Sequence, residues 1–583
     1  MKRIQGLRGA RGQAVGKCVI SKDTLYKIER KEADDPCREV EKLETARKDY
    51  CKELEHLYEN SAGEIGKASA DIVLAYQEIV KDDIFFGKCT ERVQKEKINI
   101  EYVLEEEKKK VIQLFCGMKD PYMKDRGADI EHVCNALIKK MLGVTDVYEK
   151  TDGIEEAFIL IAKDLAPTDT IRLDKTYLKG LVTEKGGQTS HTVILAKALG
   201  IPAVVGAVRI LEQAAANDII CINGEIGEVI VQPEEGILDE YIKMQNKAEE
   251  QDRIFRGLEK EKAETKDGHV ISICLNAGDK EGMEKLDMSV CDGIGLFRTE
   301  FIYMSAKQYP SEQMQFQIYK ALAEKAEGKE VVIRTLDIGG DKQIDYMELP
   351  SEANPFLGHR AIRICLERKE IFKTQLRAIL EASAFGTLSI MFPMIVSIEE
   401  LRAAKQLLEE CKGELEEKGI LYDKEIKTGI MIETPAAVLL SDRLAEEADF
   451  FSIGTNDLIQ YMTASDRMNE KVQNLYRICN ISVLRAIKMT VENAHKAGIK
   501  VSMCGEAASD EKMVPVWLGI GIDKLSMVRA QTARIKYMIR HFSIERAKDI
   551  ASGVFEMDRV EDIEKYLGYC LQDFAFTAKS VRK

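Results

Sequence analysis

At 583 residues the chain is too long for one hydrophobic core, and its length implies about three or four domains. Its 85 basic and 99 acidic side chains leave a net charge of −14 and a pI near 5.4, a balance that argues against a nucleic-acid partner. An apolar run of about 18 residues is absent, and Met1-Lys-Arg-Ile-Gln-Gly6 lacks an apolar secretion segment, so the expectation is a cytoplasmic chain without membrane insertion.

Residues 1–31 carry glycines at 6, 9, 12 and 16 and an apolar stretch at Val15 and Cys18-Val-Ile20, which reads as a short strand with turns. The Asp34-Asp-Pro36 turn then opens a charged helical region that runs through 145. Within it Val40, Leu43, Tyr50, Leu54 and Leu57 recur at roughly helical spacing, and 69–86, 100–116 and 128–142 do likewise, predicting a small antiparallel bundle. From 146 to 233 short β-like runs at 158–162, 180–183, 203–205, 219–222 and 228–231 alternate with short helices, predicting a compact α/β unit. If the strand near residues 13–20 belongs to the same sheet, the helical bundle of 32–145 is an insertion.

Inside the α/β unit, Gly186-Gly-Gln-Thr-Ser-His191 precedes an apolar helical run that ends at Gly200. His191 then stands at a helix N-terminus, where free N–H groups and the helix dipole disfavour an imidazolium but stabilise an anion, such as a phosphoryl group carried on the ring. Read alone, such a histidine is as simply a capping-region residue without chemistry.

Residues 234–262 form a polar helix with little apolar periodicity, expected to act as a linker. From 263 to 575 strand signals at 270–275, 293–297, 331–336, 388–393, 427–432, 450–453, 500–504 and 524–527 alternate with helices. Eight such units are what a (β/α)8 TIM barrel needs, with an open doubly wound sheet as the competing topology. The expected fold is therefore multidomain α/β.

Polar residues collect where those strands end. Arg298-Thr-Glu300 follows the second, Arg334 and Asp337 the third, Gly358-His-Arg360 comes after that, Glu433 follows the fifth, Gly454-Thr-Asn-Asp457 the sixth with Arg467 beyond it, and Cys504-Gly-Glu506 the seventh. Four arginines are costly to cluster without an anion, and their planar forks suit phosphate and carboxylate oxygens. Glu433 and Asp457 supply hard oxygen ligands for Mg²⁺, and Cys504 could transfer a proton. A small phosphocarboxylate on Mg²⁺ fits such a pocket. Singly, each arginine also reads as a salt-bridge partner, Cys504 as packing and Glu433 as a cap for the next helix. The 14 cysteines include no Cys-x-x-Cys pair and the seven histidines no helical ligand pair, which fits reduced thiols and argues against a transition-metal site.

Together with Gly186-Gly-Gln-Thr-Ser-His191, the segments Phe297-Arg-Thr-Glu-Phe301, Ile333-Arg-Thr-Leu-Asp-Ile-Gly-Gly-Asp-Lys342, Asn354-Pro-Phe-Leu-Gly-His-Arg-Ala-Ile-Arg363, Gly429-Ile-Met-Ile-Glu-Thr-Pro-Ala-Ala437, Phe450-Phe-Ser-Ile-Gly-Thr-Asn-Asp457 and Met503-Cys-Gly-Glu506 closely resemble the enzyme I family of the phosphotransferase system. These are the phosphoenolpyruvate–protein phosphotransferases, and the resemblance covers nearly the whole chain in the same domain order. It implies that His191 is the phosphorylated histidine, attacking the phosphorus of phosphoenolpyruvate through Nε2, and that Thr170 orients the imidazole. Glu433 and Asp457 match the Mg²⁺ ligands; Arg298, Arg334, Arg467 and Asn456 match the substrate-binding set, and Arg360 a further active-site arginine. Cys504 matches the acid that protonates the enolpyruvate carbon to give pyruvate. The same resemblance implies that the inserted bundle docks a histidine-containing phosphocarrier, HPr, that the barrel forms a homodimer, and that the linker helix is a hinge.

Departures from the family pattern bear on the partner. Leu7-Arg-Gly-Ala-Arg-Gly12, with Arg8 and Arg11, stands where Ala-Ser-x-Gly is usual, and Ala75-Tyr76 stands where Ala-His precedes an acidic turn. Lys197, Ile459 and Ala507-Ala-Ser509 also differ. Alternative readings are a paralogue that feeds a specialised HPr-like carrier, a relative of pyruvate-phosphate dikinase or phosphoenolpyruvate synthase, and a regulator that binds phosphoenolpyruvate without transfer. The dikinase reading needs a nucleotide-binding domain for which no glycine-rich phosphate loop or spare length is found.

Overall fold

The computed structural model describes residues 1–21, 28–64, 67–116, 121–144, 156–165, 177–186, 192–193, 196, 200–278, 283, 286–340, 344–350, 352–467, 469 and 471–572. The chain divides into two compact units, Met1–Glu250 and Gln251–Lys583.

The first unit is organised on an eight-stranded mixed sheet. Its strands are β1 (Lys2–Gln5), β2 (Leu7–Arg8), β3 (Gln13–Ser21), β4 (Phe158–Ala162), β5 (Leu178–Thr183), β6 (Ala203–Val205), β7 (Ile219–Asn223) and β8 (Glu228–Val231). The order is β1-β8-β7-β3-β4-β5-β6-β2, in which β3 to β6 run parallel and the remaining pairs are antiparallel. The β3 to β4 register pairs Lys17 with Phe158 and Ser21 with Ala162, so the early strand joins this sheet and the helices between them are an insertion. Continuous apolar runs such as Phe158-Ile-Leu-Ile-Ala162 are buried along their whole length, as strands covered on both faces require.

The insertion holds helices Pro36–Glu64, Lys67–Val80, Asp83–Glu96, Ile100–Cys116 and Pro121–Leu142. Leu43, Tyr50, Leu54, Tyr76, Phe86 and Leu104 are in its core. The expected continuous helix over 69–86 is instead two. Asp82 breaks it because its carboxylate accepts the Ile84 and Phe85 N–H groups at 2.9 and 3.1 Å, starting a new helix.

The second unit is a closed barrel of eight parallel strands: β9 (Ser272–Ala277), β10 (Gly293–Arg298), β11 (Glu330–Arg334), β12 (Leu388–Phe392), β13 (Lys427–Ile432), β14 (Phe450–Ile453), β15 (Lys500–Met503) and β16 (Lys524–Met527). Each strand pairs with the next, and β16 closes on β9 with Lys524 opposite Ser272, which rules out the open sheet. The first strand begins two residues later than the hydrophobic run suggests. Val270 is spent in an antiparallel bridge to Glu264, in a turn where Thr265 N–H donates to His269 O at 2.8 Å.

The helix Glu235–Leu258 begins against the first unit's sheet. Ile237, Leu238 and Tyr241 pack on Cys221 and Ile230 of the first unit's sheet, and Gln245 accepts the Val15 N–H at 3.2 Å. Beyond residue 250, Phe255 meets the Tyr537 ring edge-on at 5.6 Å, within the second unit. Among the described residues no helix is long and apolar enough to cross a membrane.

Candidate active site

The C-terminal ends of the barrel strands surround a cavity of about 510 Å³. Arg298 enters from the end of β10, Arg334 and Asp337 from β11, and Arg360 from the loop beyond. Glu433 follows β13, Asn456 and Asp457 begin the helix Thr455–Thr463 after β14, Arg467 lies in the next loop, and Cys504 follows β15. This is the face on which the loops of a parallel barrel converge, while the opposite face serves stability.

The four arginines divide into two kinds. Arg334 and Arg360 are buried, at 6% and 5% exposure, and share one carboxylate: Asp337 is 2.9 Å from Arg334 Nη1 and 2.9 Å from Arg360 Nη2. Glu300 adds a second partner to Arg334 at 2.5 Å, and Asp457 stands 3.5 Å from Arg360. A buried guanidinium needs such neutralisation, because its desolvation is otherwise uncompensated. Arg298 is exposed to the cavity and has no hydrogen bond or ion pair among the described residues, while Arg467 stands 4.0 Å from Asp457. Arg298 is therefore well placed to meet an incoming anion, and Arg467 lines the same cavity.

Glu433 is 1% exposed, and its Oε1 accepts the Met394 N–H at 2.7 Å. Burial, and then the nearby Asp457 and Asp337 carboxylates, push its carboxyl up to about 8 against the pull of Arg334 and Arg360. Asp457 Oδ1 is buried without a hydrogen-bond donor. Two crowded carboxylates, one raised and one with an unsatisfied oxygen, suit a divalent cation that completes its shell with water and substrate oxygens. Among the described residues no cluster of three or more metal-ligating side chains occurs. The reading of Glu433 as a helix cap is set aside, since Thr434 Oγ1 accepts the Ala437 N–H at 3.1 Å.

Cys504 is 1% exposed, and burial pushes its thiol up, so it carries a proton at neutral pH. The Ser452 hydroxyl donates to Sγ at 3.2 Å, and Sγ lies 3.7 Å from the Ile453 carbonyl. Leu296 and Met431 pack with it as an apolar wall of the cavity. Asn456 is held by Glu506, whose N–H donates to Asn456 Oδ1 at 3.1 Å. Gly505 lets this strand end approach the helix start, because a Cβ there would stand 1.9 Å from Thr455 Oγ1.

Arg298, Arg334, Arg360, Arg467, Asn456, Glu433, Asp457 and Cys504 thus share one cavity. His191, Thr170 and Lys197 lie outside the described residues. Sequence reasoning noted Asp337 and Glu300 without giving them a role; the three-residue step from Arg334 to Asp337 was the available signal. Tyr76 is fully buried in the helical bundle. Ala507-Ala-Ser509 forms a short 3₁₀ turn whose Ala507 carbonyl accepts Trp517 Nε1–H at 2.9 Å.

Three family models match the chain: "PEP-utilising enzyme, N-terminal" over residues 5–126, "PEP-utilising enzyme, mobile domain" over 154–227 and "PEP-utilising enzyme, PEP-binding domain" over 253–544. A phosphoenolpyruvate-protein phosphotransferase of Priestia megaterium is 39% identical over 566 residues, covering 97% of this chain and 98% of the relative. One from Listeria monocytogenes is 40% identical over 569 residues, covering 97% and 99%. A solved structure described as an NMR solution structure of Enzyme I (nEIt) aligns with 42% of this chain and 99% of its own at 29% identity and a TM-score of 0.37. With that identity sustained over nearly its full length, the chain belongs to the phosphoenolpyruvate–protein phosphotransferase family.

Proposed function

We propose that the protein moves the phosphoryl group of phosphoenolpyruvate onto Nε2 of His191, releases pyruvate, and passes the group to a histidine-containing phosphocarrier of the HPr type, the first step of sugar phosphotransfer. The observation that carries this reading is the convergence of four arginines, two carboxylates and a protonated thiol in one cavity at the barrel's C-terminal face. Residues 263–575 would bind phosphoenolpyruvate and form a homodimer in the cytoplasm. Residues 1–31 with 146–233 would carry the phosphohistidine, the bundle at 32–145 would dock the carrier, and 234–262 would serve as the hinge.

In this mechanism Arg298, Arg360 and Arg467 bind the phosphate and carboxylate oxygens, while Arg334, paired with Glu300 and Asp337, spreads positive charge along the cavity wall. Glu433 and Asp457 would hold Mg²⁺, which when bound would supply positive charge against the substrate's phosphoryl group. The neutral His191 imidazole, oriented by Thr170, attacks phosphorus as the bond to the enol oxygen breaks. The enolate left behind takes the Cys504 proton at its methylene carbon, giving pyruvate. The apolar wall of Leu296 and Met431 beside the thiol suits that carbon rather than the charged end. Phosphoryl transfer asks mainly for position and charge neutralisation, and these residues supply both.

The acceptor follows less directly, and Tyr76, Arg8 and Arg11 favour a specialised HPr-like carrier as a second reading. Offering the labelled protein to a panel of such carriers from the same cell tests both. Transfer to at least one carrier, with pyruvate released in equal amount, is expected. Pyruvate release without a labelled carrier would remove the carrier assignment, and phosphoenolpyruvate binding without pyruvate release would point to a regulator.

A further inference from the structure

Arg360 reaches the cavity from the loop 352–361, which is held more firmly than an arginine alone requires. The backbone passes through Ala361 at φ 54° and ψ −125°, a combination disfavoured for any residue with a Cβ and kept only where surroundings enforce it. The Ala361 N–H donates to the Ile338 carbonyl at 3.0 Å, and Gly339, at φ 112°, lies so close that a Cβ there would stand 2.5 Å from Arg360 Cβ. On the helix that presents Asn456 and Asp457, the Tyr461 hydroxyl donates to the Phe356 carbonyl and accepts from Arg360 Nη1 at 3.1 Å. The Phe356 ring in turn lies beside two guanidiniums, with its centroid 5.9 Å from Arg360 and 5.8 Å from Arg467.

We propose that Tyr461 and Phe356 are positioning residues that join Arg360 and Arg467 into one preset anion clamp for phosphoenolpyruvate. The inference rests on the phosphoenolpyruvate reading above. Two guanidiniums facing one cavity repel each other and, on long side chains, lose rotamer freedom when they grip a ligand. The Phe356 ring face offsets the repulsion, and Asp457 stands within reach of both cations. Tyr461 removes the freedom in advance, by tying the loop that carries Arg360 to the helix that carries Asp457. Neither residue needs to touch the substrate; each acts through an arginine that does.

Calorimetric titration of phosphoenolpyruvate with Mg²⁺ into full-length His191→Ala protein, which blocks transfer, gives the parent affinity. The same chain carrying Tyr461→Phe, Phe356→Leu or Phe356→Tyr is then titrated. KM, kcat and melting temperature are measured with His191 intact. Tyr461→Phe and Phe356→Leu are expected to weaken binding and raise KM by about 5–20-fold, with kcat within about twofold, and Phe356→Tyr to bind like the parent. Unchanged affinity in Tyr461→Phe and Phe356→Leu overturns the proposal alone, as does a fall in kcat and melting temperature at constant KM, the mark of a merely structural role. A parent chain that binds no phosphoenolpyruvate overturns the underlying reading and this inference with it.

Discussion

Asp337 neutralises two buried guanidiniums at once, so it governs both the shape and the charge of the cavity. Replacing it by alanine leaves Glu300 as the ion-pair partner of Arg334 and the more distant Asp457 as that of Arg360 among the described residues, and the expected cost is about 3–5 kcal/mol of barrel stability. Denaturant unfolding of Asp337→Ala checks this; a loss below about 1 kcal/mol would show that the arginines are held by other means. Glu433 gives a pH signature. Its carboxyl in the metal-free fold lies near 8, above its unfolded value, so the folded chain binds the extra proton. Its stabilising share is complete below the unfolded value and fades as pH rises through 8. Melting temperature in the presence of a chelator should therefore fall between about pH 5 and 8 by a component that Glu433→Gln removes, while excess Mg²⁺ should diminish it. The same slope in wild type and variant would contradict the assignment. The residue types at this site were legible from the sequence, because chemistry needing arginine, carboxylate and thiol leaves few substitutes. Their pairing was not, since Arg334 to Glu300 and Arg360 to Tyr461 span 34 and 101 positions.

At the scale of elements, the helix Glu235–Leu258 carries a packing detail that its charged composition hides. Three apolar side chains, at positions 237, 238 and 241, seat its start on the sheet. Tyr241 is 7% exposed, and its hydroxyl donates to Glu228 at 3.2 Å. Tyr241→Ala should cost the first unit about 2–4 kcal/mol and speed amide exchange across 235–245. Exchange unchanged from wild type would mean that the seat is made elsewhere. The break at Asp82 was missed for a related reason. A helical period over 69–86 runs through the junction on both sides, and only the capping carboxylate marks it. Strands were read more accurately than helix ends, because β13, β14 and β16 are bounded by abrupt changes of residue type, whereas Val270 continued the apolar run of β9 while pairing outside it.

At the scale of the molecule, the barrel was legible because eight apolar strands alternate with helices and carry their polar residues at one end, a pattern that an ordinary open sheet does not demand eight times. The first unit was harder: its β1 and β2 are adjacent in sequence yet form opposite edges of the sheet, which no local periodicity encodes. The two units hold the two halves of the proposed chemistry, the cavity in the second and His191 in the first. The most direct test is incubation of the full chain with Mg²⁺ and phosphoenolpyruvate labelled in its phosphoryl group, followed by mapping of the label. An acid-labile, base-stable label on His191, absent from His191→Ala, is the predicted result; a wild-type chain that takes up no label, or carries it on another residue, would contradict the account.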